Sequence, residues 1–220
     1  MSASRQVIPI DPEFFCDGHY YVLTSLSLGG SHLTAEQLSE QLRGGDAQTI
    51  RILLQEGICL PLFFDGDCAL DHATTFVVGD LDETEEQNWI GCLTSKLHIP
   101  CGKLLLLCGG GDPNELEEIL SGKPPAPHYV IFQVIEVPPQ TYRVDVYAYL
   151  SSMTVQQSLS YYDQHFEEIV DQERLDHYLA NRPGIPGTDY IIQLRPCQGE
   201  VPLPELVPEL DWGGVFQFRR

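Results

Sequence analysis

Three carboxylates and a histidine fall within a short stretch at Asp65, Asp67, Asp71 and His72, a set of oxygen and nitrogen donors able to gather a hard cation or share a proton. The spacing does not fit a calcium loop. Counting Asp65 as the first position of an EF-hand puts Leu70 where the invariant glycine belongs and Phe76 where the bidentate glutamate belongs. An Asp-Gly-Asp turn between two strands accounts for Asp65 and Asp67 without any ligand.

The other stretch with potential chemistry is Gly109-Gly110-Gly111, which follows the apolar run Leu104–Cys108 and precedes a helix. It resembles the glycine-rich first motif of S-adenosylmethionine methyltransferases, and Glu136 stands where that resemblance implies a ribose-binding acid. Taken with Asp65, Asp67, Asp71 and His72, it gives one functional alternative, an enzyme or binder of a small molecule or nucleotide cofactor. Two features oppose it. Asp112, Glu115, Glu117 and Glu118 crowd the start of the helix and repel a phosphate, and the strand bearing Glu136 runs into another strand rather than a crossover helix. The glycines then read as a tight turn, and no cofactor is expected.

Cys92, His98, Cys101 and Cys108 invite a zinc reading. With residues 101 to 108 extended, Cys101 and Cys108 stand about 23 Å apart at roughly 3.3 Å per residue, too far to share a metal whose sulfur ligands lie about 2.3 Å away. No metal site is expected. The seven cysteines form no Cys-x-x-Cys pair and several lie inside apolar runs, the pattern of reduced, buried thiols. No Gly-x-Ser-x-Gly elbow, His-Glu-x-x-His helix or phosphate loop occurs, so no residue is assigned a catalytic role.

Charge narrows the partner class. The 220 residues carry 32 Asp and Glu against 12 Lys and Arg, a net charge of −20. Nucleic acids and anionic membranes both require clustered cations, so neither is expected as a partner, and a basic protein is the natural complement. The densest candidate patch is Tyr161, Tyr162, Asp163, Glu167, Glu168, Asp171 and Asp176, where aromatics that can anchor a contact sit beside carboxylates that can steer one. The first functional reading is therefore a non-enzymatic protein of the inhibitor or immunity type that masks a basic macromolecule. Met1–Val7 lacks the apolar core of a signal peptide, and no stretch approaches the roughly 18 apolar residues of a membrane span, so a soluble, cytoplasmic chain is expected.

These residues need a scaffold. At 43% hydrophobic composition the chain can bury a sizeable core. Short apolar runs bounded by Gly, Pro and Asp predict strands from about Tyr20, Ile58, Thr74, Lys103, Tyr129, Tyr142 and Tyr190. Thr34 with Gln37, and Asp46 with Gly57 placed for a left-handed end, bracket two helices. Asp82–Glu85 opens a third, which the spacing of Trp89, Cys92, Leu93 and Leu97 extends over about three turns. Asp112-Pro113 opens a fourth, and two short helices fit residues 158–181. The expected class is α+β, a mostly antiparallel sheet with short helices packed on one face and an acidic helical insertion in the C-terminal half. It is read as one globular domain, with two β-rich lobes, 1–122 and 123–220, as the alternative. Residues 97–108 and 135–146 superpose at an offset of 38, Pro100 on Pro138, which ordinary turn chemistry before a strand explains.

Overall fold

The protein, a computed structural model, is described over residues 5–109, 112–126, 128–162, 168–210 and 212–219. A short edge strand β1 (Gln6–Pro9) leads to β2 (Tyr20–Ser25), and two helices follow. In α1 (Ala35–Gly44) the Thr34 hydroxyl accepts from Gln37 N–H while the Gln37 side chain accepts from Thr34 N–H, the expected capping box. Asp46 caps α2 (Ala47–Glu56), which ends at Gly57 in the left-handed region at φ 67°. The chain continues through β3 (Cys59–Phe63), β4 (Thr74–Val78) and α3 (Glu83–Asn88) to β5 (Gly91–Ile99) and β6 (Lys103–Cys108). After α4 (Pro113–Leu120) come β7 (Phe132–Glu136), β8 (Gln140–Ala148), α5 (Met153–Ser158), β9 (Ser160–Tyr162), β10 (Glu168–Val170), α6 (Gln172–Asn181), β11 (Tyr190–Pro196) and β12 (Gln217–Phe218).

The class is α+β with mostly antiparallel pairing, as the sequence predicts. A six-stranded sheet runs β1-β4-β11-β8-β5-β12, a four-stranded sheet β3-β2-β6-β7, and β9 and β10 form a ribbon of their own. The pairing of β4 with β11 is parallel. Pro61 sits on β3, at the edge of its sheet, where a missing N–H is tolerated. In β6, Leu104–Leu107 are buried on both faces, which is why that strand reads as an unbroken apolar run. One apolar core draws on strands of both sheets and on α1, α2 and α4.

Three expectations are corrected. The helix begun at Asp82 stops at Asn88, and residues 91–99 form β5, with Gly91, Leu93, Ser95, Leu97 and Ile99 buried in alternation. Among the described residues of 158–181, Ser158 ends α5, the β9–β10 ribbon follows, and α6 is the one helix that begins there, where two were expected. Cys16 and Cys108 are joined in a disulfide, so these two thiols are not free.

The segments at offset 38 make the same structural move. Ile99 pairs with Gln140 in the six-stranded sheet and Lys103 with Glu136 in the four-stranded sheet, four residues forward on one strand and four back on the other. One antiparallel register therefore runs unbroken through β5–β6 and β7–β8, and this ribbon bends from one sheet into the other at Pro100–Gly102 and Val137–Pro139. A local two-fold through that bend carries Pro100 onto Pro138.

Candidate functional site

The outer face of the six-stranded sheet carries a charged cluster that the fold assembles from three strands. Thr94 of β5, Asp145 of β8 and Gln193 of β11 lie in one cross-strand row, and Lys96, Arg143 and Arg195 in the next. Asp145 is fully buried, with 0% exposure. Its carboxylate accepts from Arg143 Nε at 2.8 and 3.0 Å, from Arg195 Nη2 at 2.9 Å and from the Thr94 hydroxyl at 2.6 Å. These are short charge-assisted bonds, and they hold two guanidinium groups against one anion.

Beyond Asp145 the same face becomes aromatic. Trp89, at the C-terminal end of α3, packs on Tyr147 with ring centroids 5.1 Å apart, and Arg219 stacks over Trp89 at 3.2 Å. Tyr147 OH donates to Gln193 Oε1 at 3.3 Å, and Gln193 in turn donates to Gly79 C=O at 2.7 Å. Over this floor passes the proline-rich arm 201–208, tied down by Val215 N–H donating to Glu205 C=O and by Leu203 and Leu206 packing on the core. Between arm and floor lies a cleft of about 570 Å³ whose lining includes Trp89, Arg143, Tyr147, Leu203, Phe218 and Arg219.

The acidic patch lies elsewhere. Tyr161 is 57% exposed on β9, Ile169 and Val170 are 37% and 49% exposed on β10, and Leu179 is 51% exposed on α6. Asp171 caps α6 by accepting from Arg174 N–H at 3.1 Å, and Asp176 accepts from Gln172 at 2.8 Å. Asp163 and Glu167 lie outside the described residues, as do the side chains of Tyr162 and Glu168. A second cleft, about 530 Å³, separates α6 from β12 and is lined by Glu173, Arg174, His177, Tyr178, Phe218 and Arg219.

No family model matches the chain, and no curated protein matches it. Two solved structures are similar to it. A protein described as crocagin biosynthetic gene J is 15% identical, with 89% of this chain and 100% of that one covered at a TM-score of 0.46. ComJ from Bacillus subtilis, an inhibitor of the DNA-degrading activity of NucA, is 8% identical, with 90% and 98% covered at a TM-score of 0.31.

The Asp67 turn and Gly109 share one region, since Cys68 N–H donates to Cys16 C=O at 3.0 Å and Cys16 is joined to Cys108. Asp67 faces His19 at 3.6 Å, both more than half exposed, while Asp71 accepts from Ala73 N–H at 2.8 Å and closes its own turn, with His72 beside it. Asp65 lines a different cleft, with Phe63, Thr154 and Phe216. Gly109 N–H donates to Tyr20 C=O at 2.6 Å, and Gly110 and Gly111 lie outside the described residues. Among the described residues no three His, Cys, Asp or Glu gather as metal ligands, and no helix is long and apolar enough to cross a membrane.

Thiol chemistry divides by depth. Burial pushes the Cys59 thiol up to about 12, and burial with the Asp145 carboxylate nearby does the same to Cys92. Cys101, at the bend of the ribbon, is held below the ordinary thiol range: burial raises it, but bonds from Ser27 and the backbone outweigh that.

Sequence reasoning missed the Asp145 cluster, although Arg143 and Asp145 lay in plain view on β8's second face. That face reads as the wetter side of a half-exposed strand. Only the pairing of β8 with β5 and β11, both about fifty residues away, covers Asp145 and brings Arg195 to it.

Proposed function

We propose that this protein is a non-enzymatic binding protein that recognises a basic protein partner, in the manner of an inhibitor, through the β9–β10 ribbon and α6. The observation that carries this reading is the exposure of Tyr161, Ile169, Val170 and Leu179 in a segment where residues 160–181 hold six carboxylates against the single cation Arg174. Exposed apolar side chains in an acidic segment are what an interface needs, because the apolar groups supply the buried contact and the carboxylates steer a cationic surface toward it. Arg174 is the one cation of that segment, its guanidinium donating to Ser158 C=O at 2.6 Å and lying over the Tyr178 ring. The net charge of −20 adds a long-range attraction of the same sign.

The test is capture from a lysate of the source cells at low and high salt, followed by titration of the purified retained protein against wild type and the Y161A/L179D double variant. A basic protein held at low salt, released at high salt and bound at least about tenfold more weakly by the variant supports the reading, since apolar anchors near the centre of an interface are worth 1–2 kcal/mol or more each. Retention of no basic protein, or identical binding by the double variant, rejects it.

A further inference from the structure

We propose that the cleft between the sheet's outer face and the arm 201–208 is a binding site for a small organic monoanion, a carboxylate carried on an apolar body. The site adjoins the α6 cleft, since Phe218 and Arg219 line both, and its argument starts from charge placement. Cross-strand pairing sets Lys96, Arg143 and Arg195 side by side on one face of three adjacent strands, in a chain with only 12 Lys and Arg. Like charges directly opposite in a sheet repel. Among the described residues the one buried carboxylate is Asp145, set between the two arginines, and that leaves the trio with two positive charges in excess.

Asp145 also orients what it only partly neutralises. It takes up the Nε side of Arg143 and one Nη of Arg195, while both arginine side chains stay about 40% exposed. Arg195 Nε is buried and, among the described residues, has no hydrogen-bond partner. Arg143, further steadied by Thr94 at 3.4 Å, is the member of the trio that lines the cleft. A guanidinium fixed on one edge and free on the other presents the planar fork that matches a carboxylate in two parallel bonds.

The rest of the cleft defines the body of the ligand. At about 570 Å³ it has the volume of a small-molecule site, and Trp89, Tyr147, Leu203 and Phe218 give it apolar and aromatic walls. The Trp89 indole N–H is itself buried without a partner among the described residues. A second anionic charge is disfavoured, because Glu205 also lines the cleft and the whole molecule repels polyanions.

The probe is N-acetyl-L-phenylalanine, with its C-terminal amide as the uncharged control, titrated into the full chain carrying W212F so that Trp89 alone reports. Saturable quenching by the carboxylate is expected, with the amide and the R143Q variant each weaker by about tenfold or more, the loss of one charge-assisted hydrogen-bonded pair. Inorganic phosphate should not compete at equal concentration. V215F, which narrows the cleft without touching a charge, provides the second variant should R143Q fail to fold, and it should weaken binding too. A flat titration, equal response to acid and amide, competition by phosphate, or unaltered binding in both folded variants overturns the assignment.

Discussion

Val137 N–H donates to Gly102 C=O at 2.9 Å in the bend where one antiparallel ribbon passes from the six-stranded to the four-stranded sheet. Gly102 has φ 70°, and a Cβ there would stand 2.9 Å from Val137 O. The position thus excludes side chains twice over, by backbone conformation and by space. G102A should lower stability by about 1–3 kcal/mol, and G102V by more. Thermal denaturation checks this; a Gly102 variant as stable as wild type would mean the bend tolerates a different path.

The buried carboxylate gives a second prediction. D145A leaves Arg143 and Arg195, both partly exposed, without their shared acceptor and should cost about 1.5–3 kcal/mol in chemical denaturation. Replacing all three together by Leu, Met and Met should recover most of that loss, since an apolar trio needs no counter-charge. If the single substitution costs no more than the triple, the cluster is not a network.

The cysteines are testable by reductant. The disulfide closes a loop of 92 residues between Cys16 and Cys108, and on the chain-entropy account a link of that span adds about 4–5 kcal/mol. Reductant should lower the Tm of wild type and leave C16S, already lowered, unmoved. A wild-type Tm indifferent to reductant contradicts this.

Alkali should destabilise the fold in a defined window. Cys59, Cys92, Tyr21 and Tyr190 are all raised by burial to about 12, from ordinary values of 9 for the thiols and 10 for the phenols. The folded chain keeps protons that the unfolded chain releases, so stability is intact below pH 9 and falls as the pH climbs from there toward 12. Denaturant midpoints measured across that range check the sign. At neutral pH the same depth ordering makes Cys101 alkylate before Cys59 or Cys92.

What the sequence made legible was local. The Thr34–Gln37 capping box, the Asp46 cap and the Gly57 terminus are each decided within about a dozen residues, and each is found in place. β5 escaped because its buried face includes Gly91 and Ser95, so the two-residue alternation is broken by small side chains, while Trp89, Cys92, Leu93 and Leu97 fit a helical stripe by accident of spacing. β1 escaped because four residues ending in Pro9 carry almost no pattern of their own; its strand character comes from pairing with β4. The charged cluster escaped for the same reason at longer range, since Arg143 and Asp145 acquire their meaning from Thr94 and Arg195.

The bent ribbon has a consequence for how the molecule comes apart. Because β5–β6 and β7–β8 each run from one sheet directly into the other in a single register, opening one ladder frees the strand ends that hold the next. Loss of order should be all or none: tryptophan emission and far-ultraviolet ellipticity will trace one coincident transition, with no half-melted species between.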